Sequence, residues 1–302
     1  MLGSSIAQQW RVARPDDELI GLTRQDVDLR DRDATAKAIV AAEPDLIIHA
    51  AAVVGGIGAK LAQPIKYLLD NVLLDSSLFA AALAAEVPKL LYIASAACYP
   101  ENLRQPFVEE DILAAPLEPA NEGYAISKIA GIKLCEYASQ QFGYSYRVVV
   151  PSNLYGPNDD FSLSHGQLIP AAIAKVHRAH VDGEAEVTIW GDGTARREFA
   201  YSEDVAGWLV SEAPNLAKWP SLVNVGSGAD HSIAEYYEAA RDVVGYTGQF
   251  RFDVSKPIGI HQRLLDSSRA RRLGWQPTTN LRDGMARVYE TYKVKHSAEE
   301  DE

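Results

Sequence analysis

Short apolar runs alternate with longer amphipathic stretches through the first half of the chain, the pattern of a parallel sheet covered by helices on both faces. Asp17–Leu22, Pro44–His49, Lys89–Ala94 and Tyr146–Val150 read as strands, with Ala34–Ala42, Asn71–Ala85 and Tyr124–Phe142 as the helices between them. The fold class this predicts is α/β, a doubly wound, Rossmann-like parallel sheet. Beyond Gly156-Pro157 the order loosens into a loop rich in Asn, Asp and Ser, a helix from Ile169 to about Ala179, and two apolar runs, Val187–Trp190 and Leu222–Val225. This second half reads as a smaller C-terminal substrate-binding domain. The expected division is a dinucleotide-binding domain over 1–157, to which 187–227 returns, and a substrate domain over 158–186 and 228–302. His296–Glu302 reads as a frayed polar tail.

Composition narrows the possibilities. The chain has 302 residues, 47% of them apolar, enough for a packed core. A formal charge of -12 gives no general attraction to nucleic acid or anionic lipid, so anionic ligands would need local cations. The two cysteines, Cys98 and Cys135, lack metal-ligand spacing and fit a reducing cytoplasm. His177, His180 and His261 have no partners at metal-like spacing and read as surface residues; no metal site is expected. No apolar run approaches membrane length, and no signal peptide is evident.

Tyr124 and Lys128 lie four residues apart in a stretch that reads as helix, so both side chains project from one face. A free phenol, with a pKa of about 10, is a poor acid near neutrality, and an adjacent ammonium favours the phenolate. Ser95 ends the apolar run Lys89–Ala94, and active groups in parallel sheets gather at the carboxyl ends of strands. Tyr-x-x-x-Lys alone arises often by chance; Ser95 and the sheet context give it weight. Arg24 follows the strand predicted to end near Leu22, where dinucleotide enzymes keep an acid for a ribose 2′-hydroxyl or an arginine for a 2′-phosphate. It favours NADPH over NADH, unless it is a surface arginine paired with Asp26 or Asp28.

Several motifs in order resemble the GDP-L-fucose synthase family of extended short-chain dehydrogenase/reductases. They are Ala50–Ile57, Asn121–Glu136, Pro151–Pro157, Trp190–Thr194 with Arg197-Glu198-Phe199, and Leu264-Leu265-Asp266, covering nearly the whole chain. The resemblance implies NADPH-dependent reduction of a 4-keto nucleotide sugar. Tyr124 would protonate the forming C4 alkoxide, Lys128 would tune it and hold the nicotinamide ribose, and Ser95 would hydrogen-bond the keto oxygen. It also implies cofactor contacts from Gly3, Arg24, Asp28, Leu29, Ala50, Ala51, Ala52, Asn71, Pro151, Asn153 and Leu154, and substrate contacts from Asn153, Gln167, Lys175, Trp190, Arg197 and Arg263. A homodimer built on the helices 71–85 and 124–142 is the family's assembly.

The chain departs from the family in three places. It opens at what resembles the end of the glycine motif, Met1–Ile6, so a first strand and turn of roughly a dozen residues are missing and the full gene product is expected to be longer. The family epimerises C3 and C5 with a cysteine and a histidine, at positions where this chain has Ala97 and Gln167. Cys98 and His165 lie nearby, but Tyr99-Pro100 and Ile169-Pro170 pin the register, so the expectation is reduction without 3,5-epimerisation. Ile258 replaces an aspartate near the nucleotide, which weakens the case for GDP. The alternatives are a complete bifunctional synthase and a non-catalytic nucleotide-sugar-binding protein, the latter disfavoured by an intact Ser95, Tyr124 and Lys128. A dehydratase would need an acid pair where Ala96-Ala97 stands.

Overall fold

The computed structural model describes residues 1–162, 166–256 and 260–300, with side chains of the last helix described to Lys295. The elements run α1 (Leu2–Ala13), α2 (Arg32–Ala42), β1 (Ile47–His49), α3 (Ile57–Ala62), α4 (Pro64–Ala84), β2 (Lys89–Ile93), α5 (Glu122–Phe142), β3 (Ser145–Pro151) and β4 (Asn153–Tyr155). They continue with α6 (Leu168–Val181), β5 (Glu186–Trp190), β6 (Arg196–Tyr201), α7 (Ser202–Glu212), β7 (Leu222–Val225), β8 (Asp230–Ser232), α8 (Ile233–Val244), β9 (Gln249–Asp253), β10 (Gln262–Arg263), α9 (Ser268–Arg272) and α10 (Leu281–Glu300).

The main sheet is wholly parallel in the order β1-β2-β3-β7. Both faces are buried, which is why its strands read as continuous apolar runs. Leu90, Tyr92, Tyr146 and Val148 pack toward α4 and α5, whereas Leu91, Val149, Val223 and Val225 pack with Ile6 and Trp10 of α1 and Trp208 of α7. A third core gathers Ile169, Ile173 and Val176 of α6 with Tyr236 of α8 and Val288 of α10.

The segment 17–22 is not a strand. It runs without a ladder partner, leaving Ile20 49% and Leu22 44% exposed. In a doubly wound sheet of order 3-2-1-4 the second and fourth strands each pair with the first and not with one another. Among the described residues no strand occupies that place beside β1, so the β-prone sequence has nothing to pair with.

Other boundaries also moved. The helix expected from Asn71 begins at Pro64, whose fixed φ suits the first helical position. By length and composition α4 is apolar enough to cross a membrane, contrary to the expectation that no run would be, but half of that window is buried inside the fold. Val187–Trp190 does not return to the main sheet: β5 pairs in parallel with β9 in a separate two-stranded sheet, whereas Leu222–Val225 does return, as β7. The tail expected at 296–302 is helical as far as Glu300. His177 is half-buried, its Nδ1 2.9 Å from the Tyr289 hydroxyl, not a surface residue.

Candidate active site

β2 ends at Ile93, and the chain breaks two residues later into a short 3-10 turn, Ala96–Cys98, that Ser95 caps by accepting the Ala97 N–H at 3.2 Å. The cap leaves the Ser95 hydroxyl at the carboxyl end of the sheet, near enough to the phenol of Tyr124 to favour its ionised form. Tyr124 sits in the first turn of α5 and is 6% exposed, packed with Ala97, Ala125 and Tyr67. Ser95 and Tyr124 are therefore brought together as the sequence predicts.

Lys128 lies one turn further along α5, as the spacing predicts. Its ammonium, 1% exposed, donates to the Tyr92 hydroxyl at 3.1 Å and lies 3.7 Å from Asp75 Oδ2. Asp75 also accepts from the Tyr92 hydroxyl at 2.5 Å and lies 2.8 Å from His49 Nε2. Gly131 makes this possible, since a Cβ there would sit 2.3 Å from the Tyr92 ring. Burial depresses the lysine's pKa, and the Asp75 carboxylate opposes that loss. Burial alone would raise Asp75, but His49 and Lys128 outweigh it and hold the carboxyl below its ordinary range. Tyr124, by contrast, is raised: burial dominates, Cys98 and Asp75 add to it, and only Ser95 pulls the other way. The expected lowering is not seen: burial outweighs it, and Asp75, beside Lys128, adds to the rise.

A second cluster borders Tyr124 through Lys60. The Lys60 ammonium, on α3, lies 4.4 Å from the centre of the Tyr124 ring and donates to Asn121 Oδ1 at 2.9 Å. Glu118 Oε2 accepts from Asn121 Nδ2 at 2.5 Å and from Arg263 Nη2 at 2.9 Å. Burial and the neighbouring Arg263 push Lys60 down to about 8, and the same two causes lower Arg197 to about 10. Arg263 is 8% exposed, and its Nε has no partner among the described residues. Lys60, Arg197 and Arg263 thus face one carboxylate, a local excess of positive charge in an acidic protein.

The cofactor-side residues form a separate group. Gly3 at the start of α1 faces Ala50, whose Cβ is 3.5 Å from where a glycine Cβ would stand. Ala50, Ala51 and Ala52 follow β1 directly, outside any helix or strand. Asp26 accepts from Thr23, and Asp28 is held by Arg30 in a two-pronged pair at 2.9 and 2.8 Å, so neither acid engages Arg24, which is exposed. Leu29 is half-buried. Asn71 donates to the carbonyls of Val53 and Tyr67 and accepts the Val53 N–H, so its amide clamps the loop after β1 with no donor left over. Pro151 closes β3, and Asn153 and Leu154 open β4, Asn153 donating to the Glu198 carbonyl at 3.3 Å.

Of the remaining substrate-side residues, Gln167 caps α6 by position, half-buried. Lys175 donates to the Thr188 carbonyl at 2.5 Å, tying α6 to β5 and not reaching the Tyr124 cluster by any contact. Trp190 is 64% exposed, with the Lys256 ammonium 5.6 Å from its ring centre. The neighbouring Arg263 and Arg197 are adjacent strands' residues, opposed in register. His165 and Ile258 lie outside the described residues. No group of His, Cys, Asp and Glu that could hold a metal exists among the described residues.

Sequence reasoning missed Asp75, Tyr92, His49, Lys60, Glu118 and Asn121. Asp75 was readable: it interrupts the apolar face of Leu73-Leu74-Asp75-Ser76-Ser77-Leu78, and a carboxylate at a core position is rarely buried unpaired. Lys60 left no such sign, because its partners are distant in sequence.

A doubly wound sheet carrying a serine at a strand end and a tyrosine and lysine on the following helix defines a nucleotide-cofactor enzyme fold of the short-chain dehydrogenase/reductase kind. The chain belongs to the NAD dependent epimerase/dehydratase family, which matches residues 1–226, and within it to the GDP-L-fucose synthase group. It is 40% identical over 282 residues to a GDP-L-fucose synthase of Azorhizobium caulinodans, covering 93% of this chain and 90% of that one. Among solved structures it resembles a GDP-6-OMe-4-keto-L-xylo-heptose reductase from C. jejuni, with a TM-score of 0.91, 28% identity, and 97% and 95% of the two chains covered. It also resembles a GDP-mannoheptose C4 reductase from Campylobacter jejuni with NADP bound, with a TM-score of 0.88, 29% identity and the same coverage.

Proposed function

We propose that this protein reduces the 4-keto group of a nucleotide-linked 6-deoxy sugar with NADPH and does not epimerise C3 or C5. The observation that carries the second half is the environment of Ala97 and Cys98. The methyl of Ala97 stands beside Tyr124, and Cys98 is fully buried with its Sγ 3.8 Å from the Ala125 carbonyl and its thiol pushed up to about 12 by burial. Neither side chain can take a proton from carbon at neutral pH. The first half rests on Ser95 and Tyr124 meeting at the carboxyl end of the sheet and on the related enzymes, two of which are reductases of GDP-linked sugars.

The residues present fit NADPH: an exposed Arg24 unengaged by acids suits a 2′-phosphate, and the close approach of Gly3 to Ala50 leaves small side chains where a pyrophosphate would pass. Bound there, the cofactor supplies the hydride. Ser95 would hold the keto oxygen, and Tyr124 would give its proton to the oxygen as negative charge develops. Arg197 and Arg263, with Lys175, Asn153, Gln167 and Trp190, would hold the nucleotide diphosphate and sugar, cations suiting phosphates. GDP is favoured by the related enzymes' names. With GDP-4-keto-6-deoxymannose we expect consumption of NADPH well above that of NADH; no turnover with either cofactor would rule out the reductase reading in favour of a binding protein.

We also assign a homodimer in the cytoplasm. Ile65, Leu69 and Leu73 form an exposed stripe on α4 at four-residue spacing, continued by Ile126 and Tyr137 on α5, a face suited to a two-fold four-helix contact. Light scattering should give twice 33.0 kDa, and Leu69→Glu should halve it; a wild-type monomer would refute the assignment.

A further inference from the structure

We propose that Lys60 is a second working cation of the site, stabilising the Tyr124 phenolate that proton transfer leaves behind, while Asp75 cancels the charge of Lys128 in the protein without cofactor. The inference rests on Tyr124 as the acid, but its test does not require turnover.

The geometry separates the two lysines. Lys128 shares a fully buried pocket with a carboxylate 3.7 Å away, and that carboxylate's own field disfavours a phenolate at Tyr124. The pair together offers Tyr124 little net positive charge. The Lys60 ammonium lies over the ring at 4.4 Å, and its hydrogen bond to the Asn121 amide oxygen neutralises nothing. The nearest carboxylate, Glu118, is already engaged by Arg263 and Asn121. A cation over an aromatic face is favourable even toward a neutral ring, and more so once the ring's oxygen carries charge.

In the step itself the Tyr124 O–H bond breaks and an O–H bond forms on the C4 oxygen. A bound reduced nicotinamide would supply the hydride that reaches C4, and the negative charge would end on the phenol oxygen. Lys60 exchanges no proton in this step. The titratable and charged groups facing Tyr124 are Lys60 from α3, Tyr67 and Asp75 from α4, Tyr92 and Cys98 from β2 and the turn after it, and Lys128 from its own helix. Lys60 in turn faces Arg263 and Glu118. Because it ionises near 8, its support fades in mildly alkaline solution.

The test is a pH titration of the full chain labelled with carbon-13 at the tyrosine Cζ, with Tyr124→Phe used to assign the signal. In the unaltered protein the Tyr124 signal should inflect as Lys60 loses its proton near pH 8, a reading that needs no variant. Neither Lys60→Gln nor Lys60→Arg titrates near pH 8, so each should abolish that inflection. A Lys60→Gln titration that overlays the wild type, or a wild-type signal flat through that range, would overturn the proposal. If the protein proves not to reduce a 4-ketone, turnover fails while this titration still reports on Lys60.

Discussion

Tyr124→Phe should lower kcat for ketone reduction by about 10²- to 10⁴-fold, the span typical of a lost general acid, while cofactor binding changes little. The substitution removes one oxygen. The ring keeps its packing against Ala97 and Ala125 and stays under the Lys60 ammonium, so the fold and the cofactor face are preserved. Ser95 keeps the Ala97 N–H. Steady-state rates set beside a fluorescence titration with NADPH make the check. A rate within tenfold of wild type would mean that another group, or water, protonates the oxygen.

Asp75→Leu should be the most damaging substitution for stability, costing about 3–5 kcal/mol, because it strands a buried ammonium. Asp75 is 2% exposed and Lys128 1%, and the carboxylate also serves Tyr92 and His49. Adding Lys128→Met should recover much of the loss, since two apolar side chains of similar volume leave no buried charge. The pH dependence has a definite sign. The folded pKa of Asp75 lies below its ordinary 3.8, so its contribution is fully present above that value and is lost as the pH falls through the folded pKa. Urea midpoints of the single and double variants at neutral pH, and of wild type and single variant in acid, measure both effects. Equal losses in the single and double variants would show that the pair is not coupled.

The parts legible in sequence were those written in local patterns. Strands at 47–49, 89–93 and 145–151 are apolar because both sheet faces bury them, and the Tyr124–Lys128 spacing fixed those two residues on one helix. The strand expected at 17–22 failed because strand formation needs a partner, which no local pattern records. The charge balance of the site failed for a related reason. Tyr124 is raised and not lowered chiefly because it is buried, and Asp75, 53 positions before Lys128, adds to the rise through the packing of α4 on α5. Lys60 and Glu118 meet Asn121 only when α3 folds over the start of α5. Cys98 lies in the 3-10 turn after β2, so neither its burial nor its approach to the Ala125 carbonyl follows from strand alternation.

The central claim is a ketone reductase that leaves the neighbouring carbons untouched. Turnover of GDP-4-keto-6-deoxymannose with NADPH in deuterium oxide, followed by mass analysis of the product, addresses it directly. The account predicts a reduced product with no deuterium at C3 or C5. Deuterium at either carbon after reaction with this protein alone would contradict it, and would mean that a base other than Ala97 or the buried Cys98 reaches the sugar.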